Sequence, residues 1–125
     1  MKNDVTVHFE DEKESAAADA GKKNSKPQRF DLVPPDALWA LSEVYEAGRR
    51  GPDGELKYED RNWERGYKWG LSFAACQRHL WSFWGGEDRD PESGLPHLAH
   101  AAWHCVTLLA FWLRGVGTDD RGGRG

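Results

Sequence analysis

The stretch QRHLWSFWGGEDRDPESGLPHLAHAAWH, residues 77–104, decides the architecture of this chain. It joins two apolar segments with helical periodicity through a connector, Gly85 to Leu95, whose glycines, proline and acidic residues cannot form helix interior. Upstream, Trp69, Phe73, Cys76, Leu80, Phe83 and Trp84 fall on one broad face when residues are placed about 100° apart. That spacing predicts a helix from about Tyr67 to Trp84, with His79 at the margin of the face. Downstream, a second helix is expected from near Pro96 to about Arg114, closed by Gly115. A connector this short sets the two helices antiparallel.

Working outward, Pro34 and Pro35 follow the extended-looking Arg29 to Val33, and proline favours a first helical turn. A helix is therefore expected from about Pro35 to Gly48, with Leu38, Leu41, Val44 and Tyr45 as its apolar stripe. Residues 48–66, GRRGPDGELKYEDRNWERG, read as a long polar loop. Three main helices and no convincing strand give an all-α fold, a small helical bundle. Three helices leave an apolar face uncovered, which a second copy in a homodimer could cover. Residues 1–28 are expected to be a disordered or loosely ordered leader, 29–114 the helical domain, and 115–125 a flexible Gly/Arg tail, because neither end carries enough apolar surface to offset chain entropy.

Composition narrows the function. The 125 residues carry a formal net charge of −4, with a sequence pI near 5.7 and a mean hydropathy of −0.80. An acidic chain is a poor match for a nucleic-acid polymer, whose backbone needs a basic face. Mono- and dinucleotides stay open, since a local metal ion can neutralise phosphate. No apolar run is long enough to span a bilayer, and the N-terminus lacks the apolar stretch of a signal peptide. A cytoplasmic protein is expected, with Cys76 and Cys105 as buried free thiols in a reducing compartment.

The chemistry is concentrated in histidines. His97, His100 and His104 are spaced i, i+3, i+7 and lie within about 60° of one another on a helix. The stripe continues as Leu108 and Phe111, so it faces the core. Burying three imidazoles costs free energy unless each finds a partner. His79 on the preceding helix and Glu87, Asp90 and Glu92 in the connector are the available partners, with Asp88 beside them. In one reading these groups bind a divalent cation or contact phosphate; in the other they form a hydrogen-bonded knot. Three imidazoles on one stripe facing a fourth favour the first, with His104, deepest along the stripe, as the structural member. Imidazole suits Zn, Mn, Fe or Co, whereas Mg prefers the carboxylates. Glu43 and Glu46 make an i, i+3 carboxylate pair that fits either metal ligation or an exposed charged face. Lys26, Arg29, Lys57 and Arg78 are the cations nearest the motif, Lys26 reading as ordinary surface charge and Lys57 and Arg78 fitting either surface charge or a phosphate contact, and Trp63 offers either a ring on which a base could stack or a flap over the core. No P-loop, CxxC pair, nucleophile elbow or dinucleotide fingerprint is present.

Three strings, RFDLVPPDAL, KYEDRNWERG and QRHLWSFWGGEDRDPESGLPHLAHAAWH, together resemble the bacteriophage family named for its dATP/dGTP diphosphohydrolase N-terminal domain. The resemblance covers about residues 26–114. It implies hydrolysis of purine deoxynucleoside triphosphates to monophosphate and pyrophosphate in phage nucleotide metabolism, within host cytoplasm, with a divalent metal, Mg or Mn first and Zn or Co next. Carried onto this chain, it marks Lys57, Tyr58, Asn62, Trp63, Arg78, His79, Glu87, Asp90, Glu92, Ser93, Gly94, His97 and His100. His79, Glu87, Asp90 and His97 are then the expected catalytic groups, and Lys57, Asn62, Trp63 and Arg78 the expected substrate contacts. The expected metal ligands are Glu87, Asp90, Glu92, His97 and His100. Two departures stand out: Gln28 separates Pro27 from Arg29 where the family runs Lys-Pro-Arg, and His104 occupies a position often held by Asn. The family name also belongs to the N-terminal part of longer proteins. The reading from another class is a non-catalytic nucleotide- or protein-binding module with a structural His/carboxylate cluster.

Overall fold

Prolines and glycines set the helix ends. Pro34 precedes α1, Pro35–Ala47; Pro96 precedes α3, His97–Arg114; and α3 stops at Gly115, which takes the left-handed conformation at φ 67°. Between them runs α2, Trp69–Trp84, ending at Gly85. The computed structural model describes residues 20–123, so the expected leader lies outside the described residues as far as residue 19. Among the described residues there are three α-helices and no strand, as the periodicities predict, with 3-10 turns at Phe30–Leu32 and Asn62–Arg65. The second helix begins two residues later than expected because the chain entering it is engaged elsewhere: Thr118 N–H donates to the Tyr67 carbonyl and Trp69 N–H to the Thr118 carbonyl.

Helices α2 and α1 both pack against α3, α2 more extensively. The core between them is small: Val44, Trp69, Cys76, Ala99, Ala101 and Phe111, joined by the buried polar residues Ser72, His97 and Thr107. Each of those polar side chains has a partner, as burial requires. Thr107 Oγ1 shares a hydrogen bond with Tyr45 OH (3.1 Å).

The face of α2 differs from the expected one. Of the residues predicted to share it, Trp69 and Cys76 are buried, but Phe73, Leu80 and Trp84 are exposed. This helix is apolar on more than one side, so hydropathy alone does not choose its buried stripe. The stripe that meets α3 is Trp69, Ser72, Cys76 and His79, at helical spacing with polar members. Cys76 is buried as expected, while Cys105, at the edge of the α2–α3 seam with its Sγ 3.8 Å from that of Cys76, is exposed. Burial raises the Cys76 thiol to about 11.

Residues 115–123, read from sequence as part of a tail, run back across the start of α2. Trp69 Nε1–H donates to the Val116 carbonyl (2.9 Å) and Gly70 N–H to Asp120 Oδ1 (2.8 Å). The crossing needs glycine on both strands of chain. A Cβ on Gly117, at φ 82°, would come within 2.5 Å of the Tyr67 carbonyl oxygen, and one on Gly66, at φ 81°, within 2.7 Å of Gly117 N.

Candidate metal centre

The site is built from the facing stripes of α2 and α3 and from the turn that joins them. The turn folds on itself: Asp90 N–H donates to the Leu95 carbonyl, Gly94 N–H to the Asp90 carbonyl, and Glu92 N–H to Asp90 Oδ1 (2.9 Å). Gly94 supplies the positive φ, 74°, that closes it. With Oδ1 spent on the turn, Asp90 Oδ2 stands 3.8 Å from His100 Nε2. The same His100 nitrogen shares a hydrogen bond with Ser93 Oγ (2.7 Å), which in turn accepts from Leu95 N–H.

His79 stacks on His100 with ring centres 4.5 Å apart and planes 6° from parallel. His79, Asp90 and His100 each offer a ligand atom, and those atoms lie within 4.8 Å of one another, a group that could hold a metal ion. Its chemistry fits one: two imidazoles and a carboxylate are neutral or anionic donors, and burial lowers the proton affinity of both His79 and His100, with His79 lowered further by the neighbouring His100. A lowered proton affinity keeps nitrogen lone pairs open to a cation at neutral pH.

Behind this group lies a chain of orientation. His97, only 4% exposed, bonds Glu87 Oε1 through Nε2 (2.6 Å) and His79 Nδ1 through Nδ1 (2.9 Å). When His97 donates from Nε2 to Glu87 and accepts at Nδ1, His79 donates from Nδ1 and its own Nε2 carries a lone pair. A carboxylate that fixes an imidazole's tautomer in this way is the usual backing of a metal-binding histidine. About two turns beyond His97 on α3, His104 Nδ1 pairs with Ser72 Oγ (2.9 Å), itself bonded to Tyr67 OH (2.6 Å). Burial pushes the His104 pKa down to about 4, so the ring is neutral and serves the knot.

Of the residues singled out from sequence, then, the structure gathers His79, Asp90 and His100 into one group and places His97 and Glu87 behind it, with both His97 nitrogens occupied. Glu92 lines the adjoining cleft of about 500 Å³ together with Asp90, Ser93, His100 and Arg50. Asn62 and Trp63 line a second, larger cleft, while Lys57 borders a separate depression with Gly51 and Glu55. Arg78 is exposed, near enough to oppose protonation of His79 and His104. Glu46 is held by Arg49 and Arg50, whose guanidinium groups reach the clefts and were not anticipated. Ser72 and Tyr67 also escaped the sequence reading. The signal for Ser72 was there, a hydroxyl seven residues before His79 on a stripe otherwise apolar.

A small all-α domain with a two-histidine, one-aspartate group at the seam of its helical hairpin is what the fold and site define. The chain belongs to the family described as dATP/dGTP diphosphohydrolase, N-terminal, which matches residues 17–121. Neither a curated protein nor a solved structure matches it. No helix among the described residues is long and apolar enough to cross a membrane.

Proposed function

We propose that this chain hydrolyses dATP or dGTP to the deoxynucleoside monophosphate and pyrophosphate, with a divalent cation held by His79, Asp90 and His100. The observation that carries the reading is the convergence of these three donors beside a cleft, in a chain whose family is named for that reaction. Two imidazoles in the donor set favour Mn, Co or Zn over Mg. When bound, such an ion supplies Lewis-acid polarisation of a phosphoryl oxygen and a more acidic water.

The chain's own residues do the rest. Glu87, through His97, fixes the tautomer and direction of His79. The Asp90–Leu95 turn holds the Asp90 carboxylate against His100. Arg50, anchored by Nε to Glu46 (3.1 Å) and by Nη1 to the Gly54 carbonyl (2.9 Å), lines the same cleft and offsets charge on phosphate oxygens. Water adds to one of the two phosphorus atoms that share the α–β bridging oxygen, the bond from that phosphorus to the bridge breaks, the water oxygen stays on the attacked phosphorus, and the proton the water loses passes to solvent. The reaction belongs to the cytoplasm, where its substrates are, and a second copy of the chain is the partner this reading assigns to the exposed face of α2.

Product analysis tests it. Incubated with dATP or dGTP and Mn²⁺, Co²⁺, Zn²⁺ or Mg²⁺, the chain should release monophosphate and pyrophosphate in equal amounts, and His100→Ala should abolish release. Absence of both products with all four cations overturns the proposal. A melting temperature that collapses with chelator, without turnover, would instead describe a structural metal knot.

A further inference from the structure

The cation group borders only one of two neighbouring clefts. The other is larger, about 890 Å³, and Glu46, Gly48 and Trp103 line both. Their linings differ in kind. The smaller carries Glu46, Asp90 and Glu92 against Arg50, an acidic excess suited to a cation. The larger carries Glu46, Glu59 and Asp60 against Arg49, Arg61 and Arg65, so its formal charges cancel. Five of these six charges are also tied to one another, Arg49 to Glu46 and Asp60, and Arg65 to Glu59, while Arg61 reaches Glu64 at 3.9 Å. The rest of the lining is mainly aromatic: Tyr45, Tyr58, Trp63, Tyr67 and Trp103.

The geometry points to this larger cleft as the nucleobase site, taking the uncharged purine ring of the nucleotide whose phosphates meet the cation group next door. The assignment rests on the function proposed above and adds where the base is held. A neutral, aromatic-walled space is suited to a flat π-system and offers a polyphosphate nothing that the neighbouring cleft does not offer better. Asn62 lies on the same wall, and its amide carries the donor and acceptor needed to read a purine edge. Tyr58 is the ring best placed to stack without holding up the fold: it is exposed, whereas Trp63 packs against Tyr45 and Phe111 at 5.8 and 6.3 Å between ring centres.

The test separates the base from the phosphates. Full-length chain is titrated with deoxyguanosine and deoxyadenosine in chelator, then with inorganic triphosphate plus Mn²⁺, before and after Tyr58→Ala and Asn62→Ala. The nucleosides should bind without metal, and Tyr58→Ala should weaken them about tenfold, while triphosphate affinity stays within twofold. Nucleoside binding that follows this pattern upholds the base site even if no triphosphate is hydrolysed. Turnover of dATP or dGTP whose KM is unmoved by either substitution overturns the base site while leaving the hydrolytic reading intact. Nucleosides that fail to bind the unmodified chain overturn it as well.

Discussion

The two faces of the α2–α3 hairpin differ in what they do with polar and apolar groups. The inner face, beside the buried Trp69, Cys76, Ala101 and Phe111, holds Ser72, His79, His97, His100 and His104, each bonded to a partner. The outer face holds Phe73, Leu80, Trp81, Trp84, Leu98 and Leu109, all exposed. A chain selected only to bury apolar area would not leave these side chains out while histidines line the seam, since an exposed Leu or Phe forfeits about 1.5–3 kcal/mol of burial. Hydrogen bonding as well as apolar packing organises the interior seam, while the exterior leaves large apolar side chains in water.

The comparison can be broken from the inside first. Phe111, 1% exposed, is the apolar anchor below the histidines and stacks edge-on with Tyr67 at 5.1 Å. Phe111→Ala should lower the unfolding free energy by about 3–5 kcal/mol in denaturant titration; a loss under about 1 kcal/mol would mean that this seam is not the core. His97→Gln is gentler on the fold and sharper on function. It interrupts the Glu87–His97–His79 chain, and steady-state assays should show turnover down about 10–100-fold with little change in melting temperature. Unchanged turnover would remove His97 from its positioning role.

Acid supplies a third probe. The folded chain holds His104 well below its ordinary value of 6.5, at about 4, so the unfolded chain binds the proton first. Stability from this group is complete above about pH 6.5 and is lost as pH falls toward 4. After discounting for solvent screening, the loss should be about 1–2 kcal/mol. His104→Asn should flatten this part of the pH–stability curve, as denaturant unfolding at pH 7 and pH 4.5 would show; an equal slope in both proteins would contradict the buried, neutral assignment. The smallest effect belongs to the outer face. Trp84, 79% exposed, replaced by Gln should change the unfolding free energy of the single chain by no more than about 0.5 kcal/mol. A larger loss at high protein concentration only would show a second copy seated there.

Much of this was legible in the residues, and the reasons for the remainder are physical. Helical periodicity and the Gly85–Leu95 break were enough for three helices and their antiparallel hairpin. The i, i+3, i+7 histidines announced a polar seam because imidazoles on a core stripe demand partners. Which face of α2 meets that seam was not legible, since the helix is apolar on several sides and the choice falls to Ser72, Cys76 and His79. Nor could spacing tell a ligand from its support: Glu87, Asp90 and Glu92 look alike in sequence, and only the fold of the turn directs Asp90 toward His100 and Glu87 toward His97. The docking of residues 115–123 across α2 depends on Gly66 and Gly117 meeting backbone to backbone, a match between positions 51 residues apart that local pattern does not reveal.

The central claim is that His79, Asp90 and His100 act as one cation site. Calorimetric titration of chelator-stripped protein with Mn²⁺ tests it most directly. One ion per chain should bind, with affinity falling at least about tenfold in Asp90→Asn and little change in Glu43→Gln. Binding that is absent in the unmodified chain, or equal in the Asp90→Asn protein, would contradict it.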